Sequence, residues 1–197
     1  MTVIEVTIAS ALLLLITSTI FTIMVSAQNA DRRAQAVVNN EQETRFVLTE
    51  IARDIRASNP TEVFTSAATY SNSIQLYLGE SATQTRVRWV YDTDPASATF
   101  KQLRREVLNT STGAIVSTTT RLKRVQNAVR APVVPLFKYY GQNGGDLVAA
   151  GNAADVGNCA IRVTITLTAD SNPGPEPFTV TQDVEVRNRL PGGVGCG

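Results

Sequence analysis

The sequence has no histidine and only two cysteines in 197 residues. The first absence removes the commonest general base and metal ligand, and the second excludes a four-cysteine zinc site. Neither glycine nor proline occurs before Pro60, and from Met1 to Ala27 the only ionisable side chain is Glu5. Aromatic residues make up 6% of the chain, which argues for Phe137, Tyr139 and Tyr140 as core packing rather than a ligand-stacking group. A formal net charge of +1 gives no support for a global nucleic-acid field. No serine or cysteine has a visible base partner, and no glycine-rich phosphate loop follows a strand pattern. The chain therefore reads as a non-enzyme, with no cofactor and no metal.

What is present divides the chain into three parts. Residues 1–27 are apolar all round and, at about 1.5 Å per residue, long enough to cross a hydrocarbon layer of about 30 Å. A cleavable secretory signal needs a basic start, and "MTVIE" supplies none. Residues 28–59 continue the helix in amphipathic form, with Ala30, Ala34, Val37, Leu48, Ile51, Ala52 and Ile55 at three- and four-residue steps. One helix to about Ser58 is expected, ended by Ser58, Asn59 and Pro60 because the residue before proline leaves the α region.

From residue 60 to 197 the period changes to two. Strands are expected at Ser73–Gly79, Thr85–Tyr91, Thr99–Leu108, Ala114–Val125, Ile161–Ala169 and Phe178–Asn188. In "TRVRWVY" the side bearing Val87, Trp89 and Tyr91 should face inward. The stretch from Tyr140 to Asn158 has no period and should be a long surface loop. The fold class is α+β: a long N-terminal helix, membrane half plus amphipathic half, packed on an antiparallel β head.

Glu5 is the outlier, since an ionised carboxylate in a membrane segment costs about 2.5–3.5 kcal/mol on insertion scales. A local account places it in the first helical turn, where the macrodipole favours negative charge. The alternative pairs it with the α-amino group of another copy once helices pack side by side, so that costly charges cancel on association.

The stretch "MTVIEVTIASALLLLITSTIF" resembles the mature N-terminus of type IV pilins and type II secretion pseudopilins, matching at Met1, Thr2, Val3, Ile4 and Glu5. "LFKYYGQNGG" and "QDVEVRNR" are similar to the heads of W-type minor pilins and J-type minor pseudopilins. The resemblance implies a pilin-like fold and a filament of copies and other pilins built through Met1 and Glu5. It also implies cleavage of a basic leader and N-methylation of Met1 by a prepilin peptidase, with an initiator methionine as the alternative. An inner-membrane assembly platform, membrane residence before assembly and a final extracellular place on the cell surface follow from the same likeness. Many pilins carry Gly or Pro in this part of the helix; here there is none, and Thr17, Ser18, Thr19 and Thr22 are weaker helix formers that could allow local unwinding. Val3, Ile4, Ile8, Leu12 to Ile16, Ile20 and Phe21 would exchange lipid for neighbouring helices.

Smaller signals stand beside this one. Cys159 and Cys196 are read as a disulfide pinning the C-terminus, which would stabilise by about 3–4 kcal/mol in the chain-entropy model; two thiols in a reducing cytosol are the alternative. That bond and the resemblance put the head outside, although Arg32 and Arg33 alone would hold it in the cytoplasm. Asn109-Thr110-Ser111 is an N-glycosylation sequon. Asp146, Asn152, Asp155 and Asn158 fit no EF-hand spacing, and a polar loop is preferred to a calcium site. "YDTDP" is read as an Asx turn. Arg86, Arg88, Lys101, Arg104, Arg105, Arg121, Lys123, Arg124 and Arg130 make the central strands basic, against acids Asp146, Asp155, Asp170, Glu176, Asp183 and Glu185. A solvated face, or charge complementarity between stacked subunits, is favoured over binding of nucleic acid.

Overall fold

The computed structural model describes residues 2–58, 72–79, 84–129, 132–147, 156–170 and 177–186. Helix α1 runs unbroken over Val3–Ala57. Strands β1 (Ser73–Leu78), β2 (Thr85–Tyr91), β3 (Leu103–Leu108) and β4 (Ile115–Leu122) form one antiparallel sheet in that order. Strands β5 (Phe137–Tyr140), β6 (Arg162–Ala169) and β7 (Phe178–Glu185) form a second antiparallel sheet, with the one-turn helix α2 (Val156–Cys159) between β5 and β6. The arrangement is α+β, one long helix packed on antiparallel sheets, and consistent with a pilin-like fold.

Helix α1 serves two environments. No residue from Val3 to Glu43 is buried, a rod of about 60 Å. From Thr44 onward a stripe at three- and four-residue steps, Thr44, Val47, Leu48, Ile51 and Ile55, is buried against strands of both sheets. Ala30, Ala34 and Val37, expected on the same stripe, are exposed, because the head begins only at Thr44. The helix stops at Ser58, whose extended backbone turns its N–H onto Ile55 O and whose Oγ donates to the same oxygen at 2.6 Å. Asn59 and Pro60 lie outside the described residues.

The alternation in β2 works as its sequence implies: Val87, Trp89 and Tyr91 are buried and Arg86, Arg88 and Val90 are half-buried on the other face. Trp89 is 0% exposed and sits against the helix stripe within one core that also takes Phe137, Tyr139, Val163, Ile165 and Leu167. Burying each of these side chains contributes about 1.5–3 kcal/mol. The segment joining the sheets is tied down by Asn127, a buried amide whose Nδ2 donates to Thr166 O at 2.6 Å and whose Oδ1 accepts from Thr168 N–H at 2.9 Å.

Several boundaries differ from the sequence expectation. Strand β3 starts at Leu103, not Thr99, because residues 98–101 turn and Lys101 takes φ 65°. Strand β4 ends at Leu122; Arg124 then takes φ 66° and Val125 crosses to bridge Ala169. The expected surface loop is partly structure: Tyr140 ends β5, Asp146 bridges back to it, and Val156 of α2 is fully buried. Residues 148–155 lie outside the described ones.

One buried polar group joins helix to sheet. Asp54 Oδ2 accepts from Trp89 Nε1 at 3.0 Å and from Arg105 Nε at 2.9 Å. Trp89 and Arg105 are direct cross-strand partners, so both reach the helix from one register position. Asp54→Ala would strand an indole N–H and a guanidinium together. The head should lose about 2–3 kcal/mol of unfolding free energy, and less with Asp54→Asn, which keeps an acceptor for Trp89. Denaturant midpoints of the detergent-solubilised full chain read this; equal midpoints for both variants and the parent would refute it.

Candidate assembly site

The start of α1 is closed by its own side chains. Thr2 has an extended backbone, its Oγ1 accepts the Glu5 N–H at 3.4 Å, and Glu5 Oε2 accepts the Thr2 N–H at 2.9 Å. This reciprocal pair is a capping box, and it satisfies two of the backbone donors that every helix N-terminus leaves open. The Thr-x-x-Glu spacing that specifies it stands in the sequence, where the charge of Glu5 is the more conspicuous feature. The local account of Glu5 therefore has a definite geometry. Met1, the other residue expected in assembly, lies outside the described residues.

Beyond the cap, Val3, Ile4, Ile8, Leu12 to Ile16, Ile20 and Phe21 are all exposed. This stretch is long and apolar enough to cross a membrane by length and composition. Such a surface is suited to lipid or to the helices of neighbours, and a soluble chain would not leave it in water. Through residues 17–22 the helix is unbroken; Thr17, Thr19 and Thr22 each donate a hydroxyl bond to the carbonyl four residues back. That bonding holds the hydroxyls inside the helix and competes mildly with its ladder.

On the head, four of the arginines are absorbed by ion pairs. Arg88 meets Glu106 at 2.6 Å across β2 and β3, where the two are register partners, and Glu106 is buried. Arg104 lies between Asp92 at 3.7 Å and Glu106 at 3.9 Å. Arg105 pairs with Asp54, and Arg121 with Glu50 of the helix at 2.7 Å. Arg86 instead stacks on Tyr77 at 5.6 Å, and Lys101 lies over Phe100. Lys123 and Arg124 line a cleft of about 310 Å³ beside Glu43 and Asp170, so basic and acidic groups share it. Arg130 and Glu176 lie outside the described residues.

The remaining sequence candidates fall as follows. Cys159 is disulfide-bonded and nearly buried; Cys196 lies outside the described residues. Asn109 is exposed at the β3–β4 turn, where its Oδ1 accepts the N–H groups of Ser111 and Thr112, both at 2.9 Å. Asp146 takes part in the bridge to Tyr140, whereas Asn152, Asp155 and the Asn158 side chain lie outside the described residues. Phe137 and Tyr139 are core residues, but Tyr140 is not: it faces outward and carries the Arg162 guanidinium at 4.5 Å. No protein-family model, curated protein or solved structure matches the chain.

"YDTDP" forms the expected turn. Asp92 Oδ1 accepts the Asp94 N–H at 3.1 Å, while Oδ2 accepts from Ser97 at 2.6 Å and from Thr99 at 2.5 Å. Burial alone would raise the Asp92 pKa; bonds from Ser97, Thr99 and Asp94 and the Arg104 charge outweigh it and hold the group below its ordinary value. A carboxyl depressed in the folded state stabilises fully above its unfolded pKa of about 3.9 and loses that contribution as pH falls through the folded value. The melting temperature should therefore drop as pH falls below about 4, and Asp92→Asn should flatten that acid limb while leaving the neutral plateau lower. Parallel acid limbs for parent and variant would remove Asp92 from the pH dependence.

Proposed function

We propose that this protein is a structural subunit of a type IV pilus-like extracellular filament, held in the inner membrane by its N-terminal helix and then assembled through it. The observation that carries this is the division of α1: an exposed apolar half capped by Glu5, joined without a break to a half buried in the head from Thr44. An anchor alone requires a spanning length; it does not require a rigid continuation into the head. In this account Met1, processed and methylated by a prepilin peptidase, carries the α-amino group that Glu5 of a neighbour meets. The membrane assembly platform and other pilins are its partners. The likeness to W-type pilins and J-type pseudopilins favours a minor subunit, and a minor pseudopilin of a type II secretion system would use the same architecture. The disulfide of Cys159 is assigned to Cys196, the one other cysteine in the sequence.

The capping box favours a second account, a monomeric extracytoplasmic binding domain on a membrane anchor, because Glu5 already has local work. Glu5→Gln separates the two, since glutamine keeps a capping box but not the charge. A filament subunit should lose on the order of tenfold or more in sheared-filament yield with either Glu5→Gln or Glu5→Leu, with the membrane-inserted pool unchanged. Unaltered filament yield for Glu5→Gln would reject the charge pairing, and filaments devoid of the parent chain would reject the filament account in favour of the anchor. Digestion without reductant should release one peptide pair joining Cys159 to Cys196, and recovery of Cys196 as a free thiol would reject that assignment.

A further inference from the structure

Arg86 differs from the other arginines of the first sheet. It has no ion pair among the described residues, whereas Arg88, Arg104, Arg105 and Arg121 each have a carboxylate. Its Nη2 donates to Gln75 Oε1 at 3.0 Å, its guanidinium lies 5.6 Å from the Tyr77 ring centre, and its Nε is buried without a hydrogen bond. A planar cation fixed in this way has already lost much of the rotamer freedom that binding would otherwise cost, and it suits a carboxylate. Arg88 stands two residues on, on the same outward face of β2.

The complementary pattern lies on the second sheet. Asp183 and Glu185 stand two residues apart on the outward face of β7, an edge strand, and both are exposed. Glu185 faces Arg162 in register, but Arg162 is turned onto Tyr140, and Glu185 has no ion pair among the described residues. Asp183 and Glu185 have the i, i+2 spacing of one strand face, about 6.5–7 Å, so the Arg86 fork can meet either of them, while Arg88 stays on Glu106.

We infer that the outward face of β2 in one copy, centred on Arg86, docks the Asp183/Glu185 edge of β7 in a second copy. The two surfaces are different, so in the filament setting the contact repeats head-to-tail from one copy to the next. This rests on the filament reading for its setting, but it is a property of the head and can be tested apart from it.

The test uses the full chain in membranes and a carbodiimide, which joins amines to carboxylates at zero length. The amine introduced by Arg86→Lys should give cross-linked dimers whose peptides join position 86 to Asp183 or Glu185 of another molecule. That peptide pair should fall about tenfold when Asp183→Asn and Glu185→Gln are added, and weaken as salt is raised. In filament-forming cells, Asp183→Lys with Glu185→Lys should lower filament yield about tenfold, and Arg86→Glu should restore it to within a few-fold. Both carboxylates are exposed, so the β7 variants report even if Arg86→Glu impairs folding. Absence of the 86–183 and 86–185 peptide pairs, or full filament yield from the β7 variants, overturns the contact while leaving the filament reading intact. Cross-links without filaments uphold the contact and reject that reading.

Discussion

A single unbroken helix has to satisfy two solvents, and the rest of the structure follows from that constraint. Over Val3–Glu43 the helix buries nothing in the head. The helix residues buried against the sheets therefore fall on the last four turns, from Thr44 to Ser58. Fourteen residues or so of amphipathic helix would be marginal alone. The apolar stripe supplies adhesion without direction, and Asp54 supplies the register, because only one rotation of the helix brings its carboxylate to Trp89 and Arg105 together. Glu50 repeats the device one turn earlier with Arg121 of β4. The two carboxylates thus hold opposite parts of the first sheet to one helix face.

Charge on the head serves mainly to organise the head itself. The central strands are rich in arginine, yet four of those guanidiniums are spent on carboxylates of the helix, of β3 or of the Asp92 turn. Such pairs contribute little when exposed, but Glu106 and Asp54 are buried, and leaving either unpaired would be costly. Arg86 and the β7 carboxylate Glu185 have no ion pair among the described residues, and so stand apart from these four.

The periodicity of the sequence made the architecture legible where a strand or helix face is long. The helix ends within a residue of its expected stop, and β2 has its expected bounds and inward face. Short or two-sided elements were not legible: β5 is four residues, too brief for a period-two signal, and α2 is one turn hidden among small residues. Strand β4 alternates poorly because Ile115 to Thr120 are exposed on both faces, so burial never sorted its side chains. Asp54 was invisible for a different reason. A polar residue inside an amphipathic pattern reads as solvated until its cross-strand partners are known, and those are 35 and 51 residues away. The Thr2–Glu5 box, by contrast, is purely local and could have been read from four letters.

That box changes how the charge at Glu5 should be weighed. In hydrocarbon an open backbone N–H costs several kcal/mol, so a helix beginning inside or at the edge of a membrane gains more from a cap than one in water. Glu5 spends one bond of one carboxylate oxygen on the Thr2 N–H. A carboxylate accepts at about four positions, so capacity remains for an ammonium from outside. The cap also holds the side chain beside the helix end, where the macrodipole already favours negative charge. Local capping and pairing between molecules are therefore compatible at one residue: the first fixes where the charge sits, and the second would draw on what the first leaves unused.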